Sequence, residues 1–450
     1  ATAADENSAA CGIYHPQEGT LNITGGTINV TDGVGVLMRG GKMAMTGGEV
    51  NATGDASKTG TVGDSRQVVS TSGVVLDREC EYPSAPTAVV KIDKTAKVSG
   101  AKAAVELLAK AEDTQAKEAV QLKGGTYSSD VTPLLDENSV AAQNDDNTYS
   151  ITTYYAKVGD HRYVTLKDAF EAAADGQTVT VINDTELGDN GVAVAKGKAL
   201  TLDLNGCSVK ATNQDYKNFL VYGKLTLQDS KEGSTAKIYT ESPYVSSAVN
   251  GYPVIQVQDD GEFVMNSGYI KTVCDDAVNK GNFAVGLLGA SKATINGGTI
   301  EAGWYAVSGN GNETKSTSIA INGGTLISTA DYAIYHPQAG KLTINNGVIY
   351  GEAGAVAMKR GELEVTGGTI TSKGKGNTGT WGDGTGNLNN AALNFCKPYG
   401  NVKATIKGGT ITAQGNAVVV DTQPVEGKTA DIAISGGTYS SDVSAYCVDG

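Results

Sequence analysis

Apolar and polar residues alternate along this chain in short runs that Gly and Asn interrupt. The stretch KLTINNGVIYGEAGAVAMKRGELEVTGGTIT, which starts at Lys341, shows the pattern clearly. Leu342 and Ile344 face one way, a turn follows, and Val348 and then Val356 belong to the next runs. A period of two is typical of β-strands, and Gly and Asn tolerate the positive φ of tight turns. The pattern predicts many short strands, each too short to bury an apolar face alone.

These strands recur with a short period that the sequence Gly-Gly-Thr-x marks. Copies begin at residues 25, 47 (as GGEV), 124, 297, 323, 367, 408 and 436, with looser versions at 267 and 346. In the second half of the chain most copies follow each other after roughly 20–30 residues, as expected for coils that stack into a solenoid. Because coil length varies, we predict an all-β, right-handed parallel β-helix. A leucine-rich repeat has a stricter period, and β-propeller blades are longer.

A second, much longer period repeats a whole module. IYHPQEGTLNITGG begins at Ile13 and IYHPQAGKLTINNG at Ile334, and nine of their fourteen positions are identical. GGTYSSDV closes both copies, at residues 124–131 and 436–443. We therefore expect residues 1–152 to be the C-terminal part of one module, 153–164 a linker with a hairpin at Gly159-Asp160, and 165–450 the second module.

One helix is predicted, over residues 165–176. Leu166, Ala169, Phe170 and Ala173 recur at helical spacing, and Thr165 is placed to cap the first turn. We expect this helix to cap the second module, because the end of a β-helix exposes unpaired strand edges. Residues 101–122 also have helical propensity, but their counterpart from residue 416 contains Pro, Gly and a Val run. We assign strands to both.

The order of these motifs resembles that of a known class of surface protein. YYAKVGDHRYVTLKDAFEAAADGQTVTVIND, then ALTLDLNGCSV, then the repeated ITGGTI and IYHPQ motifs, resembles the tandem modules of large Gram-positive adhesin-like proteins, especially those of gut Firmicutes. The resemblance covers nearly the whole chain. It implies a secreted or wall-anchored location, and it supplies no ligand.

Composition and charge narrow the function further. A formal net charge of −14 disfavours nucleic acid and anionic membranes as partners, and no run of 18 apolar residues is present. The chain opens inside a repeat without a visible signal peptide, so we expect it to be a fragment of a longer protein. Its six cysteines lie far apart without a C-x-x-C pair, which leaves disulfides and free thiols both open.

An enzyme must be considered, since parallel β-helices often carry polysaccharide lyases and hydrolases. CDDAVNKG places Asp275 and Asp276 side by side, as in the acidic motif of polygalacturonases. The Asn-x-Asp, Gly-His-Gly and Arg-x-Lys motifs of that family are absent from the following coils, and no acidic ladder with a basic arginine suggests a lyase. We expect a solvated corner here, with no catalytic residue, metal or cofactor.

Candidate binding residues come from the repeated loop and from the aromatic residues. Tyr14 and His15, and again Tyr335 and His336, belong to the Tyr-His-Pro-Gln loop, which is either a structural turn or a repeated ligand contact. Tyrosine outnumbers phenylalanine 20 to 5, and exposed Tyr and Trp suit recognition of sugars or proteins. This adds four candidates: Trp304, Tyr305, Trp381 and Tyr399.

The sequence thus leads to a non-catalytic, adhesin-like array of β-helix modules. We expect it to bind a host glycan or a host surface or secreted protein, such as mucin or secreted immunoglobulin, and to extend from the cell wall. Identical modules supply reach and avidity, whereas an enzyme gains less from them. The alternatives are a β-helix carbohydrate-active enzyme and a pure structural spacer. Neither the ligand nor the number of modules follows from the sequence.

Overall fold

A computed structural model gives the fold as two compact units, Ala1–Tyr154 and Tyr155–Gly450. Both are built almost entirely from β-strands. The structure describes residues 1–2, 7–62, 68–80, 85–188, 191–212, 218–241, 252–275, 280–281, 283–309, 316–373, 391–395, 399–420 and 426–448.

The first unit passes four times through three sheets. One four-stranded sheet contains Ala10–His15, Gly33–Met38, Ser72–Asp77 and Ala103–Leu108. The other contains Thr20–Ile23, Lys42–Met45, Val89–Ile92 and Val120–Leu122. The six-stranded sheet contains Thr27–Thr31, Glu49–Thr53, Lys97–Gly100, Thr126–Tyr127, Tyr149–Thr153 and Ser139–Gln143, of which the last two pair antiparallel. A hairpin of Thr59–Thr61 and Val68–Ser70 and two 3-10 turns, Ala85–Thr87 and Thr132–Leu134, complete the unit.

The second unit repeats this arrangement at greater length, in three sheets. The twelve-stranded sheet contains, in spatial order, His161–Tyr163, Ala156–Val158, Thr178–Val181, Ala199–Asp203, Lys224–Gln228, Glu262–Met265, Lys292–Ile295, Thr317–Ile321, Gly340–Ile344, Gly361–Val365, Val402–Ile406 and Ala430–Ile434. The ten-stranded sheet contains Thr185–Glu186, Val209–Lys210, Ile238–Tyr239, Tyr269–Lys271, Thr299–Ala302, Thr325–Ser328, Val348–Gly351, Thr369–Ser372, Thr410–Ala413 and Thr438–Tyr439.

The nine-stranded sheet completes the set with Val192–Val194, Phe219–Val221, Pro253–Val257, Phe283–Leu287, Val307–Gly309, Tyr332–His336, Gly354–Met358, Leu393–Phe395 and Val418–Val420. From Thr178 onward the chain visits the three sheets in turn, and every strand pairs parallel with the one a full circuit later. We call one such circuit a coil. A short hairpin, Cys274–Asp275 with Lys280–Gly281, and a 3-10 turn, Ser444–Tyr446, lie outside the sheets.

Parallel pairing in register places like residues above one another in the core. Ile295, Ile321, Ile344 and Val365 are aligned on successive strands of the twelve-stranded sheet, and all are buried. Residues from all three sheets belong to one continuous apolar cluster. Burying an aliphatic side chain of this size contributes about 1.5–3 kcal/mol, so each coil stabilises its neighbours through these rows.

The Gly-Gly-Thr corner has a physical reason in the close approach of successive coils. Gly324 has φ +78°, and a Cβ on Gly323 would lie 2.5 Å from the carbonyl oxygen of Asn296 in the coil before it. Side chains at this corner of successive coils form a ladder from Asn266 to Thr366. Asn322 Nδ2 donates to Asn296 Oδ1 at 2.9 Å, and Asn345 Nδ2 donates to Asn322 Oδ1 at 2.8 Å.

The predicted start of the second module contains the predicted helix and hairpin. The helix spans Leu166–Ala172, the Thr165 hydroxyl accepts from the backbone N–H of Asp168, and Phe170 is buried in the core. Ala156–Val158 and His161–Tyr163 form the hairpin, which joins the twelve-stranded sheet through an antiparallel pair with Thr178–Val181.

Two local features complete the description of the strands. Residues 101–122 contain the strands Ala103–Leu108 and Val120–Leu122 and no α-helix, as the comparison with the second copy predicted. Val348, the first residue of its strand, is 43% exposed, while Ile349 is buried. Gly347, at φ +104°, forms the corner before this strand.

Candidate binding site

The repeated Tyr-His pair lies at the end of equivalent strands in the two units. His15 Nδ1 is 3.1 Å from the backbone oxygen of Gly40, and His336 Nδ1 is 3.0 Å from that of Arg360. A carbonyl oxygen only accepts, so Nδ1 of each ring carries the hydrogen. Both rings are buried and hold the turn that follows the adjacent strand. These contacts support the structural interpretation of the loop.

His336 is the more deeply enclosed of the two. Its Nε2 is buried without a hydrogen-bond partner in the described part of the chain. Burial lowers the pKa of His336 to about 4, and the hydrogen bond to Arg360 only partly opposes this. His336 is therefore neutral at pH 7.

Aromatic residues of the second unit form a separate cluster on the face of the nine-stranded sheet turned away from the main core. This aromatic cluster consists of Phe283, Trp304, Tyr305, Tyr332 and Tyr335. The Trp304 and Tyr305 rings stack at 4.6 Å between centroids, and Tyr305 stacks on Tyr335 at 5.0 Å. Phe283 meets Trp304 edge-on at 6.5 Å. Rings in these geometries attract one another beyond the effect of area burial alone.

Small residues on neighbouring strands make room for the rings. Tyr335 is aligned with Ser308 on one side and Ala357 on the other. The Tyr332 ring lies across Gly354, where an added Cβ would come within 2.2 Å of ring carbon Cε1. Asn394 Nδ2 donates to the Tyr332 hydroxyl at 2.8 Å from two coils away. From Phe283 to Asn394, the cluster and its supporting residues thus involve five successive coils.

Two buried charged side chains lie beside these aromatic rings, Asp331 next to Trp304 and Lys359 next to Tyr399. Trp304 Nε1 donates to the Asp331 carboxylate, which also accepts from the backbone N–H of Tyr332 at 2.7 Å. The Lys359 ammonium is buried and lies 5.8 Å from the centroid of the Tyr399 ring. A cation over a ring face is attracted by about 0.5–2 kcal/mol. The Tyr335 hydroxyl donates to the Tyr399 hydroxyl at 3.3 Å.

The first unit has a related but differently charged arrangement. Arg39, at the position of Lys359, is fully buried and paired with Asp77 at 2.7 Å. Its guanidinium lies 5.7 Å from the centroid of the half-buried Tyr14 ring. Asp77 Oδ1 also accepts from the backbone N–H of Cys80 at 3.1 Å. Both units therefore bury a cation beside a tyrosine ring, which is Tyr14 of the repeated loop in the first unit and Tyr399 in the second.

The structure brings four of the eight candidate residues together and corrects their expected exposure. Trp304, Tyr305, Tyr335 and Tyr399 meet at one sheet face. The expectation of exposed rings is wrong for Trp304 and Tyr305, which are only 5% and 8% exposed, because each ring packs against another. Tyr335, the candidate from the repeated loop, is buried as well. Tyr399 is half-buried and keeps part of its surface in solvent. Trp381 lies outside the described residues.

Other residues of this site could not be identified one by one from the sequence. Asp331, Lys359 and Asn394 are buried polar residues, which hydrophobic periodicity does not single out. The alignment of the two copies does identify one position of this site, because Arg39 and Lys359 both follow a methionine at the end of the equivalent strand. A basic residue repeated at a core-facing corner indicates a partner inside the fold.

The acidic pair of the sequence lies at the edge of the described residues. Asp276 lies outside the described residues, and only the backbone of Asp275 is described, in a short hairpin. Among the described residues no three His, Cys, Asp or Glu side chains are grouped so that they could hold a metal ion. No helix in the described ranges is long and apolar enough to cross a membrane.

Comparisons with protein-family models, with curated proteins and with solved structures found no match for this chain.

Proposed function

We propose that this chain consists of tandem right-handed parallel β-helix modules of a bacterial cell-surface protein, and that it binds a host glycan or protein without catalysis. The parallel β-helix is supported by the regular passage through three sheets around one apolar core. The modular surface role is supported by the two units, which repeat the same histidine contact. Repeated modules add reach and avidity without new contacts.

The observation that carries the binding role is the meeting of Trp304, Tyr305, Tyr335 and Tyr399 on one outward sheet face. The stacked rings are rigid, and a rigid surface loses little conformational entropy when a ligand binds. Because the Trp304, Tyr305 and Tyr335 rings stack on one another, their stacked faces are not available to a ligand. The contact surface therefore consists of the Tyr399 ring and the hydroxyl and ring edges around it. Such a surface of apolar rings with a few polar groups suits a sugar or a protein loop.

The proposed location is outside the cell, either anchored to the wall or secreted, as the resemblance to adhesin-like modules implies. A net charge of −14 fits partners that are not nucleic acids or anionic membranes. Mucin glycans, matrix proteins and secreted immunoglobulin are the partner classes to test.

The test is capture from mucosal secretions on the immobilised chain, with the bound species identified by mass spectrometry and their affinity measured. One saturable host partner is expected, and Tyr399→Ala should weaken its binding at least ~10-fold, as loss of a central aromatic contact does. Tyr14→Ala, at a half-buried tyrosine of the first unit, is the matched substitution. An unchanged melting temperature for Tyr399→Ala separates loss of contact from unfolding.

Three outcomes contradict this proposal in different ways. If no component is retained, the chain acts as a spacer. If glycans are captured and returned shortened, the enzyme alternative holds, and Asp275→Asn and Asp276→Asn should then abolish the shortening. If Tyr399→Ala binds like the wild type, the partner contacts another surface.

A further inference from the structure

One outward column of the twelve-stranded sheet alternates in charge from coil to coil. Its residues occupy the same position of successive strands, and parallel pairing in register places each beside the next. All are exposed or half-buried. Over six coils this set, which we call the charge column, consists of Glu262, Lys292, Ser318, Lys341, Glu362 and Lys403. Lys224 and Asp431 continue the alternation by one coil on each side.

The fold itself does not require this alternation. The first unit repeats the loop and strands of this region, and it has Thr20, Lys42 and Val89 at the positions of Lys341 and the two column residues after it. Side chains on the outer face of a sheet do not fill the core. The order of charges is therefore a property of the surface of the second unit.

Three charges of the column are unmatched within the chain. Among the described residues, Lys292, Glu362 and Lys403 form no ion pair, although each lies beside an opposite charge on an adjacent strand. Lys341 differs, because its Nζ pairs with Glu364 of the neighbouring column at 2.5 Å. The unmatched charges can be paired by another molecule whose charges have the same spacing.

A second copy of this sheet, turned antiparallel, has that spacing. A two-fold axis parallel to the strands, placed midway along the charge column, reverses the order of the coils and keeps the column opposite itself. In such an arrangement each contact occurs twice, once in each direction. Glu262 then faces Lys403 of the second copy, and Lys292 faces Glu362. Every charge that is unmatched in one chain meets an opposite charge in the other.

The centre of the column and the effect of a slip fix the register of this pairing. At the centre Ser318 faces Lys341, whose charge is already matched by Glu364. A slip by one coil places Lys292 opposite Lys403 and Lys341 opposite its own copy. Like charges in direct opposition are unfavourable, so alternation selects one register.

The neighbouring outward column allows the two sheets to approach. From Val264 to Thr405 its side chains are short, except for Glu364. In the antiparallel arrangement Glu364 faces Thr294, so no like charges meet there. Eight coils at ~4.8 Å each and strands of about five residues give roughly 600 Å² per copy, which lies at the lower end of specific interfaces. A dissociation constant in the micromolar range is expected.

This face is also less acidic than the chain as a whole. A net charge of −14 makes copies of the chain repel one another. Over eight coils the charge column has four lysines and three acidic residues, which leaves one positive charge. Two copies can therefore meet here without adding to that repulsion.

We propose that the charge column is an interaction surface that pairs antiparallel with the charge column of a second copy of this chain. The dimer does not depend on the proposed host ligand. One consequence does rest on the proposed function: chains anchored in two facing cell walls meet antiparallel, so this pairing would join cells rather than neighbours on one cell.

The experiment is sedimentation velocity of the full chain at rising concentration, with charge reversals in the column. Lys292→Glu and Glu362→Lys each place like charges opposite one another twice in a dimer, and each should weaken association at least ~10-fold. An equimolar mixture of these two variants should associate like the wild type, because every pair between the two different chains is again of opposite charge. Melting temperatures show that both variants are folded.

The matched control is Lys196→Glu, which changes the net charge as Lys292→Glu does. The Lys196 side chain is 76% exposed and lies outside the charge column, so this variant should associate like the wild type. Weakening equal to that of Lys292→Glu would assign the effect to net charge and overturn the proposal.

The other results are equally decisive. Association of the wild type that each column variant weakens and the mixture restores supports the antiparallel dimer. A wild type that stays monomeric overturns it, as do column variants that associate like the wild type or a mixture that does not recover. Capture of a host partner is a separate measurement. A monomer that binds a host partner contradicts only the dimer, and a dimer that captures none contradicts only the host-binding function.

Discussion

Acid should destabilise the second unit through His336, and the size of the effect follows from its surroundings. The imidazole is fully buried and neutral, and its pKa is lowered from the ordinary 6.5 to about 4. The unfolded chain therefore binds this proton first as the pH falls. Stability is intact above pH 6.5 and decreases toward pH 4, since it rises with pH wherever the unfolded state binds more protons. A shift of this size corresponds to about 3 kcal/mol in the free energy of unfolding.

The matched variant is His336→Asn, whose side-chain N–H can replace Nδ1–H toward the oxygen of Arg360 but cannot titrate in this range. Urea unfolding is followed by tryptophan fluorescence, which reports the second unit because both tryptophans, Trp304 and Trp381, belong to it. The difference in unfolding free energy between wild type and variant should be constant above pH 6.5 and change by about 1.4 kcal/mol per pH unit below it. A difference that stays constant down to pH 4.5 would refute the buried, neutral histidine.

Two further predictions concern packing between coils. Asn322→Ala removes two ladder hydrogen bonds and should lower the free energy of unfolding by about 1–3 kcal/mol. Thr366→Ala, at the end of the ladder, removes one hydrogen bond and should lower it by about half as much. Equal losses of unfolding free energy in urea would show that the ladder contributes little. Gly354→Ala forces a methyl group into the Tyr332 ring and should cost about 1–3 kcal/mol, while Gly188→Ala, with open space around it, should change the melting temperature little. A neutral Gly354→Ala would mean that the aromatic cluster shifts without cost.

The strands and turns were predictable because they depend on local chemistry. Positive φ at Gly324 or Gly347 needs glycine wherever the corner turns, so the sequence carries that requirement at every coil. The cap of the helix is equally local, since Thr165 and Asp168 are three residues apart. Alternation alone does not locate the residue at which a strand leaves its corner, so it does not show that Ile349 is buried and Val348 exposed.

The partners and the burial of the site residues were less predictable, because they depend on contacts between coils. Arg39 and Asp77 are 38 residues apart in sequence, and neither has a local pattern that identifies its partner. The burial of Tyr335 depends on Ser308 and Ala357, which lie on the strands before and after it. Sequence patterns found the aromatic residues that meet, and only the register between coils revealed that their faces are occupied.

The asparagine ladder has a consequence for how this protein can change over evolution. From Met265 onward, each strand of the twelve-stranded sheet is followed after three residues by a strand of the ten-stranded sheet, so this corner keeps one length. The corner before the nine-stranded sheet varies instead, from two residues between Gly351 and Gly354 to 20 between Ser372 and Leu393. Insertions at the variable corner leave unchanged the corner of constant length, which carries the asparagine ladder. New recognition sequences can therefore be grafted there, coil by coil, while the scaffold that carries them is inherited unchanged.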